Sequence, residues 1–171
     1  IVSYSDIIYQ LSVLEALTAT DSDILVAVDT GWANYWSSRF DDPLSDAESL
    51  RMSSAGNIIE IGNKVSVLDE AQAQYIGLMR FKGVGVNTLV VAHQELGNVD
   101  RNWMNYRKIK QAHMTDLLME IILRGYTVSA AKIFRSWLEI DTPHDLQLAI
   151  KLMNYPSWSQ QQADQTEVHA S

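Results

Sequence analysis

Short apolar runs alternate along the chain with segments whose apolar residues follow helical spacing. Residues 1–9 are rich in β-branched and aromatic side chains, and apolar residues then recur every three positions from 11 to 17. The continuous apolar run at 24–28 is typical of a parallel strand that is buried on both faces. Strand, helix and strand in this order predict a βαβ unit, and therefore an α/β protein.

Six further elements follow downstream. The pattern predicts a hairpin, a strand, two helices, a strand-rich segment and a last helix, at 49–62, 74–81, 84–96, 105–123, 127–141 and from 142 onward. In the second of these helices His113 lies on the apolar stripe, and Gly125 is placed to end the helix. Thr142, Pro143 and Asp145 form the start signal of the last helix.

The remaining stretches define the organisation of the chain. We expect the buried face of the last helix to consist of four apolar residues: Leu146, Ala149, Ile150 and Met153. Residues 31–46 are polar and aromatic with a proline, which predicts an irregular loop after the buried strand. From residue 157 the composition turns rich in Gln, Ser and Asp. We therefore expect one domain over 1–156 and a polar, disordered tail over 157–171.

Composition and charge narrow the function classes. The 171 residues are 47% hydrophobic and 20% charged, enough to bury a core. Lys and Arg number 13 against 21 Asp and Glu, a net charge of −8, which excludes non-specific binding to nucleic acid or anionic membranes. The chain has no cysteine, which excludes disulfides, thiolate zinc sites and a Cys nucleophile, and favours a cytoplasmic location. No apolar run approaches the roughly 20 residues of a membrane span.

Carboxylates near predicted strand ends are the first candidate site residues. Asp6 lies between a strand and a helix, where it either carries chemistry or caps the helix. Glu139 and Asp141 lie two residues apart in a strand, so the pleat sends both to the same face. Two neighbouring carboxylates repel each other unless solvent or a cation separates them. This pair is therefore either a solvated strand end or a cation site.

An aromatic cluster is the second candidate. Trp32, Tyr35 and Trp36 fall within five residues of a predicted loop, close to Asp29. Aromatic faces beside a carboxylate suit a quaternary ammonium group, through cation–π attraction of about 0.5 to 2 kcal/mol per contact. The alternative is a small hydrophobic cluster beneath a long loop.

Other catalytic signatures are missing from the sequence. The four histidines lack metal-ligand spacing, and no serine lies in a nucleophile elbow. The glycines at 83 and 85 lack the third glycine of a dinucleotide fingerprint, and no phosphate-cradling loop is present.

Five short stretches in order between residues 1 and 152 carry a family resemblance. They are Ser5-Asp6, Asp29-x-x-Trp32-x-x-Tyr35-x-x-x-Arg39, Glu60-Ile61-Gly62, Gln74-Tyr75-Ile76-Gly77-Leu78-Met79, and Trp137-x-Glu139-Ile140-Asp141 followed by Asp145-Leu146. Together they resemble the nucleotidyltransferase superfamily, most closely its phosphocholine and phosphonate cytidylyltransferase branch. The resemblance implies the C-terminal part of a Rossmann-like fold, with a mixed, mostly parallel central sheet flanked by helices.

The same resemblance implies catalytic and metal-binding roles. Asp6 and Asp141 would hold Mg²⁺, with Glu139 as a catalytic residue close to that site. This donor set agrees with the chemistry of Mg²⁺, which usually takes one or two carboxylates and completes its octahedron with water and phosphate oxygens.

The resemblance also implies an acceptor pocket and a reaction. Asp29, Trp32, Tyr35 and Arg39 would bind the acceptor, with Trp32 and Tyr35 facing its amine head group. An oxygen of phosphocholine or an aminoalkylphosphonate would attack the α-phosphorus of CTP and release pyrophosphate. Catalysis would come from positioning and charge neutralisation, without a covalent enzyme intermediate.

The chain departs from the family pattern in one respect, which changes the activity that we expect of it. Family members open with a glycine-rich G-x-G-x-R loop that binds the nucleotide, and nothing in this chain matches it. We therefore expect the chain to begin partway through the domain and to be inactive by itself. A sugar-1-phosphate nucleotidyltransferase and a non-catalytic module of the same fold are the alternatives, and the oligomeric state stays open.

Overall fold

The computed structural model describes residues 1–97, 109–155 and 158. The strands are β1 (Val2–Ser3), β2 (Ile7–Tyr9), β3 (Ile24–Asp29), β4 (Glu48–Met52), β5 (Ile58–Lys64), β6 (Gln74–Phe81), β7 (Ser129–Ile133) and β8 (Trp137–Glu139). The helices are α1 (Leu11–Thr18), α2 (Trp32–Arg39), α3 (Val84–Gly97), α4 (Met114–Leu123) and α5 (Pro143–Met153). Short 3₁₀ turns lie at Pro43–Ser45, Leu68–Glu70 and Ile109–Gln111.

Four strands form the central sheet, in the order β1-β6-β3-β7. Strand β6 runs antiparallel to both β1 and β3, whereas β7 runs parallel to β3. Three of the four strands therefore share one direction, and the expected mixed α/β sheet flanked by helices is confirmed. All six residues of β3 are buried, as its apolar run predicts.

Alternation along β3 builds a core on each face of the sheet. Leu25 and Ala27 pack into one hydrophobic cluster, with residues of α1, α2 and α5. Val26 and Val28 pack into the other cluster, with residues of α3, α4 and the β4–β5 hairpin. The hairpin itself lies where the sequence predicts it, with Gly56 at φ 80° in its turn.

The N-terminal strand differs from the prediction. A turn at residues 5–6 divides the apolar stretch 1–9 into β1, which joins the central sheet, and β2, which pairs antiparallel with β8. Asp6 lies in that turn, immediately before β2.

The predicted loop at 31–46 is wrong, because its first half is helix α2. The buried residues of α2 are Trp32, Tyr35, Trp36 and Arg39. Their spacing of i, i+3, i+4 and i+7 is that of one helix face. Composition favoured a loop, but the positions of the large side chains carried the helical period.

The two C-terminal helices agree with the prediction in part. Helix α4 begins at Met114 with His113 as its N-cap, so His113 is exposed and does not lie on the buried stripe. Residues 105–108 of the predicted helix lie outside the described residues. Gly125 follows α4 at φ 85°, as predicted. Helix α5 begins at the predicted cap, where the Thr142 side chain accepts a hydrogen bond from the Asp145 amide.

The buried face of α5 is rotated from the predicted one. Ala149 is buried, but the other three predicted residues, Leu146, Ile150 and Met153, are 44% to 48% exposed. Asp145 is only 4% exposed, and Leu148 and Leu152 pack against the core. The inward stripe therefore begins at a carboxylate, which an apolar pattern does not mark.

Two further findings concern the chain as a whole. No helix in the described ranges is both long enough and apolar enough to cross a membrane. The predicted tail at 157–171, apart from Trp158, lies outside the described residues.

Candidate functional site

The antiparallel ribbon of β2 and β8 brings the predicted acidic residues to one end. Ile7 pairs with Glu139, and the Ile140 amide donates a hydrogen bond of 2.9 Å to the Asp6 carbonyl oxygen. Asp6 and Asp141 therefore lie at the same end of the ribbon although they are far apart in sequence. The Oδ1 atom of Asp6 is buried and has no hydrogen-bond partner among the described residues.

A buried arginine holds the carboxylates that follow β8. The side chain of Arg39 is 1% exposed and contacts Glu139, Asp141 and Asp145. Its Nη2 lies 2.8 Å from Asp141 Oδ2, its Nε lies 2.9 Å from Asp145 Oδ1, and its Nη1 bonds Glu139 Oε2. Three like charges are thus gathered around one cation.

Burial disfavours the ionised form of these carboxyls, but the net pKa shift differs between Glu139 and Asp145. Burial raises the pKa of Glu139, although the Arg39 charge opposes that shift. Burial also opposes ionisation of Asp145, but hydrogen bonds from Arg39 and Thr142 outweigh it and lower the pKa of Asp145 to about 2. Asp145 is therefore the firmest anionic partner of Arg39.

Aromatic rings of α2 and its C-terminal end surround the guanidinium. The Arg39 Cζ lies 5.6 Å, 5.4 Å and 5.0 Å from the ring centroids of Tyr35, Trp36 and Phe40. These rings exclude water and add cation–π attraction.

Asp29, a predicted acceptor-binding residue, is fully buried and has only protein donors around it. Its Oδ1 accepts from the amides of Gly31 at 2.8 Å and Arg135 at 2.9 Å. Its Oδ2 accepts from Trp137 Nε1 at 3.0 Å. Arg135 and Ser136 both have positive φ, 62° and 66°, so Asp29 also stabilises a strained turn.

Trp32 and Tyr35, predicted to face an amine, are each 3% exposed. Trp32 Nε1 donates to the Ala71 carbonyl at 3.0 Å, and the Tyr35 hydroxyl accepts from the Glu139 amide at 2.9 Å. Burial raises the pKa of Tyr35 to about 12. The expected placement of these rings on an open loop is wrong, because they lie in the hydrophobic core.

Neighbouring rings cover the faces of these two side chains. Trp36 packs edge-on against Trp32 at 6.0 Å and against Tyr35 at 5.6 Å, between ring centroids. Trp137 contacts Tyr35 in the same manner at 5.8 Å. The aromatic group is therefore a packed cluster, in which Trp36 contacts the rings of Trp32, Tyr35, Phe40 and Trp137.

A cavity of about 520 Å³ opens beside this cluster. Its aromatic and acidic lining consists of Tyr4, Trp36, Tyr75, Asp46, Glu48 and Glu139. Gln74, Gly77 and the segment 112–115 complete the wall. Of the residues that the sequence analysis placed in candidate sites, Glu139 and Trp36 lie in this lining. We therefore treat this cavity as the candidate ligand-binding site.

Sequence reasoning missed Tyr4 and Tyr75 as site residues. Their rings meet edge to face, with centroids 5.7 Å apart. Burial raises the pKa of Tyr4, and the negative charges of Glu48, Asp6 and Glu139 raise it further. Both phenols are therefore neutral at physiological pH, and Asp6 belongs to the same electrostatic environment as the cavity. The sequence signal that could have identified Tyr4 is its position directly before the Ser5-Asp6 motif.

A glycine makes room for Tyr4. Gly77 has φ 77°, and a Cβ atom placed there would come within 2.7 Å of the Tyr4 ring. The Tyr4 amide also donates to the Gly77 carbonyl at 2.9 Å. The glycine of the 74–79 motif thus shapes one wall of the cavity.

Known proteins resemble the chain in sequence and in fold. The CTP:phosphoglutamine cytidylyltransferase of Campylobacter jejuni subsp. jejuni serotype O:2 is 34% identical over 152 residues, which are 88% of this chain and 58% of that protein. The nucleoside-diphosphate-sugar pyrophosphorylase of Vibrio cholerae RC9 superposes with a TM-score of 0.54 over 85% of this chain and 53% of its own, at 15% identity. In sequence the chain is similar to a cytidylyltransferase, and its fold is that of a nucleotidyltransferase. No protein-family model matches it.

The chain therefore spans little more than half the length of these nucleotidyltransferases. The superfamily resemblance read from the five motifs is confirmed, and so is the fold that it implies. Within that superfamily, the relative found by sequence is a cytidylyltransferase whose name includes CTP. The acceptor named there is phosphoglutamine, which differs from the expected phosphocholine.

The metal site of this nucleotidyltransferase-like chain stays a prediction. The described residues contain no group of three or more His, Asp or Glu side chains arranged for a metal. Two carboxylates nevertheless suffice for Mg²⁺ when phosphates and water supply the other ligands. The unpartnered, buried Oδ1 of Asp6 fits this requirement, because a buried carboxylate oxygen needs a donor or a cation.

Proposed function

We propose that the chain forms the metal-binding and acceptor-binding part of a Mg²⁺-dependent cytidylyltransferase. The enzyme would transfer the cytidylyl group of CTP to a small acceptor that carries both a phosphate or phosphonate and an amine, with release of pyrophosphate. The observation that carries this proposal is the cavity, in which aromatic rings and carboxylates meet beside the Asp6 turn. The 34% identity to a CTP-dependent cytidylyltransferase supports it.

Asp6 and Asp141 are the residues that would hold Mg²⁺. The bound metal would neutralise the phosphate charges of the substrates. Asp141 has a side chain that is 49% exposed, and only its Oδ2 contacts Arg39, so its other oxygen faces away from that pair. Glu139 lies between this end of the ribbon and the cavity, where it would help to orient the acceptor.

The amine would bind against Tyr4 and Tyr75, with Trp36, which is 3% exposed, supporting the cavity wall. The two tyrosine rings and the carboxylates Glu48 and Glu139 provide the cation–π and charge complementarity that an ammonium group requires. Phosphocholine and 2-aminoethylphosphonate both carry such a group, and we keep both as candidate acceptors.

The sequence-predicted acceptor residues would act from behind the cavity. Trp32 and Tyr35 support Trp36 through ring contacts, and Asp29 fixes Trp137, which packs against the same cluster. The reaction itself needs no base on the protein, because a phosphate oxygen is already ionised near neutral pH. The chain's contribution is to hold that oxygen in line with the bond that breaks. A cytoplasmic location belongs to the proposal, in keeping with the cysteine-free sequence.

The test measures pyrophosphate release by the full-length native enzyme, of which this chain would form a part, with CTP and a panel of acceptors. We expect Mg²⁺-dependent release with amine-bearing phosphates or phosphonates, and none with sugar 1-phosphates. Glu48→Gln should raise the KM for the amine acceptor about tenfold and leave the KM for CTP unchanged. Glu15→Gln is the matched control, because Glu15 is exposed on α1 and remote from the cavity lining.

Three outcomes would contradict the proposal. Turnover of sugar 1-phosphates would favour the sugar nucleotidyltransferase alternative. If none of the acceptors supports pyrophosphate release at any Mg²⁺ concentration, a non-catalytic module would be favoured. An unchanged acceptor KM in Glu48→Gln would show that the amine binds elsewhere.

A further inference from the structure

We infer that Arg39 is a positioning residue, which fixes the carboxylates of Glu139 and Asp141 at the edge of the cavity and does not itself contact the acceptor. The inference rests on the proposed function, since it assigns a role within that site. It also replaces the acceptor-binding role that the family resemblance implies for this arginine.

The donors of Arg39 point at protein carboxylates. Nε and Nη2 both contact Asp145, at 2.9 Å and 3.4 Å, Nη2 also contacts Asp141, and Nη1 bonds Glu139. With a side chain only 1% exposed, the guanidinium has little surface to offer a substrate. Three carboxylates around one cation also leave a negative surplus, which repels the phosphate of an acceptor.

The arginine is itself held in place by α5. Asp145 Oδ2 accepts hydrogen bonds from the Thr142 amide at 2.9 Å, the Thr142 hydroxyl at 2.8 Å and the Asp141 amide at 3.2 Å. The helix cap, the Arg39 side chain and the backbone of Asp141 therefore form one network. Rings on the other side, at 5.0 to 5.6 Å, prevent the guanidinium from moving away.

This arrangement leaves one oxygen of each neighbouring carboxylate outside the arginine contacts. Arg39 donates to Oε2 of Glu139 and Oδ2 of Asp141, so Oε1 and Oδ1 are the oxygens not used in these two bonds. Without the bridge, the two carboxylates would repel each other and take up other rotamers. Only a planar, multi-donor cation can bridge three carboxylates, so lysine is a poor substitute.

The decisive variant is Arg39→Lys, which keeps the charge and removes the bridge. We expect it to weaken Mn²⁺ binding, measured by electron paramagnetic resonance without nucleotide, about tenfold or more. Its kcat should fall while the KM for the acceptor stays within about twofold. Arg51→Lys is the matched control, because Arg51 is 57% exposed and pairs only loosely, at 3.7 Å, with Glu60.

A second variant keeps the inference testable if Arg39→Lys does not fold. Asp145→Asn should give the same pattern more weakly, because it loosens Arg39 and leaves the side-chain carboxylates of Glu139 and Asp141 in place. In crystal structures of either variant, the carboxylates of Glu139 and Asp141 should move by about 1 Å or more. Those structures show whether Arg39 positions the two carboxylates, whatever the activity of the wild-type protein. If that protein releases no pyrophosphate, only the proposed function fails.

The opposite results would overturn the inference. An Arg39→Lys enzyme with a tenfold higher acceptor KM and unchanged Mn²⁺ affinity would make Arg39 an acceptor ligand. Unchanged carboxylate positions in both variants would show that Arg39 does not position them.

Discussion

Two acidic regions of the molecule sit at the ends of strands and yet differ in what surrounds them. At the end of β3, Asp29 is fully buried, and both of its oxygens accept hydrogen bonds from protein N–H groups. At the end of β8, Glu139 and Asp141 each give one oxygen to Arg39 and remain 22% and 49% exposed. The first region is saturated by the protein, and the second is not.

This difference separates structural carboxylates from those available for chemistry. A carboxylate whose oxygens are both satisfied internally has no capacity for a ligand without breaking existing bonds. A carboxylate with a remaining oxygen beside a cavity can bind a metal or an ammonium group. Asp6, with a buried oxygen that lacks a hydrogen-bond partner within the part of the chain that the structure describes, belongs to the second kind.

The largest expected effect follows from Asp6→Asn. If Asp6 holds the metal, the substitution should lower kcat about 1,000-fold, which is about 4 kcal/mol of activation free energy. Its thermal stability should stay the same or increase, because the variant buries an amide in place of an unpaired carboxylate oxygen. Steady-state pyrophosphate release and calorimetric melting measure the two effects. Full activity in Asp6→Asn would remove Asp6 from the metal site.

Asp29→Ala should lower stability and change acceptor binding little, whereas Asp6→Asn should lower kcat without a loss of stability. The Asp29 substitution leaves three donors unpaired, from Gly31, Arg135 and Trp137, so the free energy of unfolding should fall by about 3 kcal/mol. Urea denaturation measures this loss. In the folded variant the acceptor KM should change little, since Asp29 does not line the cavity. A stable Asp29→Ala protein that no longer binds the acceptor would reverse the comparison.

The sequence predicts the strands and helices that carry these carboxylates better than it predicts which carboxylate is saturated with hydrogen bonds. Strand β6 and the start of α5 follow directly from apolar runs and from a capping pattern, which are local signals. Which carboxylate is saturated depends on contacts across the chain, such as the bond from Trp137 to Asp29, and no local pattern encodes these.

The aromatic segment shows a second limit. Trp32, Tyr35 and Trp36 suggested an open cage because composition indicated a loop, whereas their spacing already matched a helix face. Tyr4 directly follows the edge strand β1, and Tyr75 lies in the neighbouring strand β6, so the two cavity rings meet only after folding. Local composition therefore assigned to an open loop aromatic residues that pack in the core.

The smallest expected effect distinguishes Asp145 from Asp29 through pH. Folding lowers the pKa of Asp145 from its ordinary value of 3.8 to about 2, so its ionised form stabilises the protein. That contribution is complete above about pH 4 and is lost as the pH falls through about 2. Asp145→Asn should therefore reduce the free energy of unfolding by about 1–2 kcal/mol at pH 7, with the difference from wild type shrinking toward pH 2. Urea denaturation from pH 7 to pH 2 measures it, with Asp69→Asn on an exposed turn as the control. A difference that does not change with pH would mean that Asp145 stabilises the protein through hydrogen bonds alone, as Asp29 does, and that its charge adds nothing.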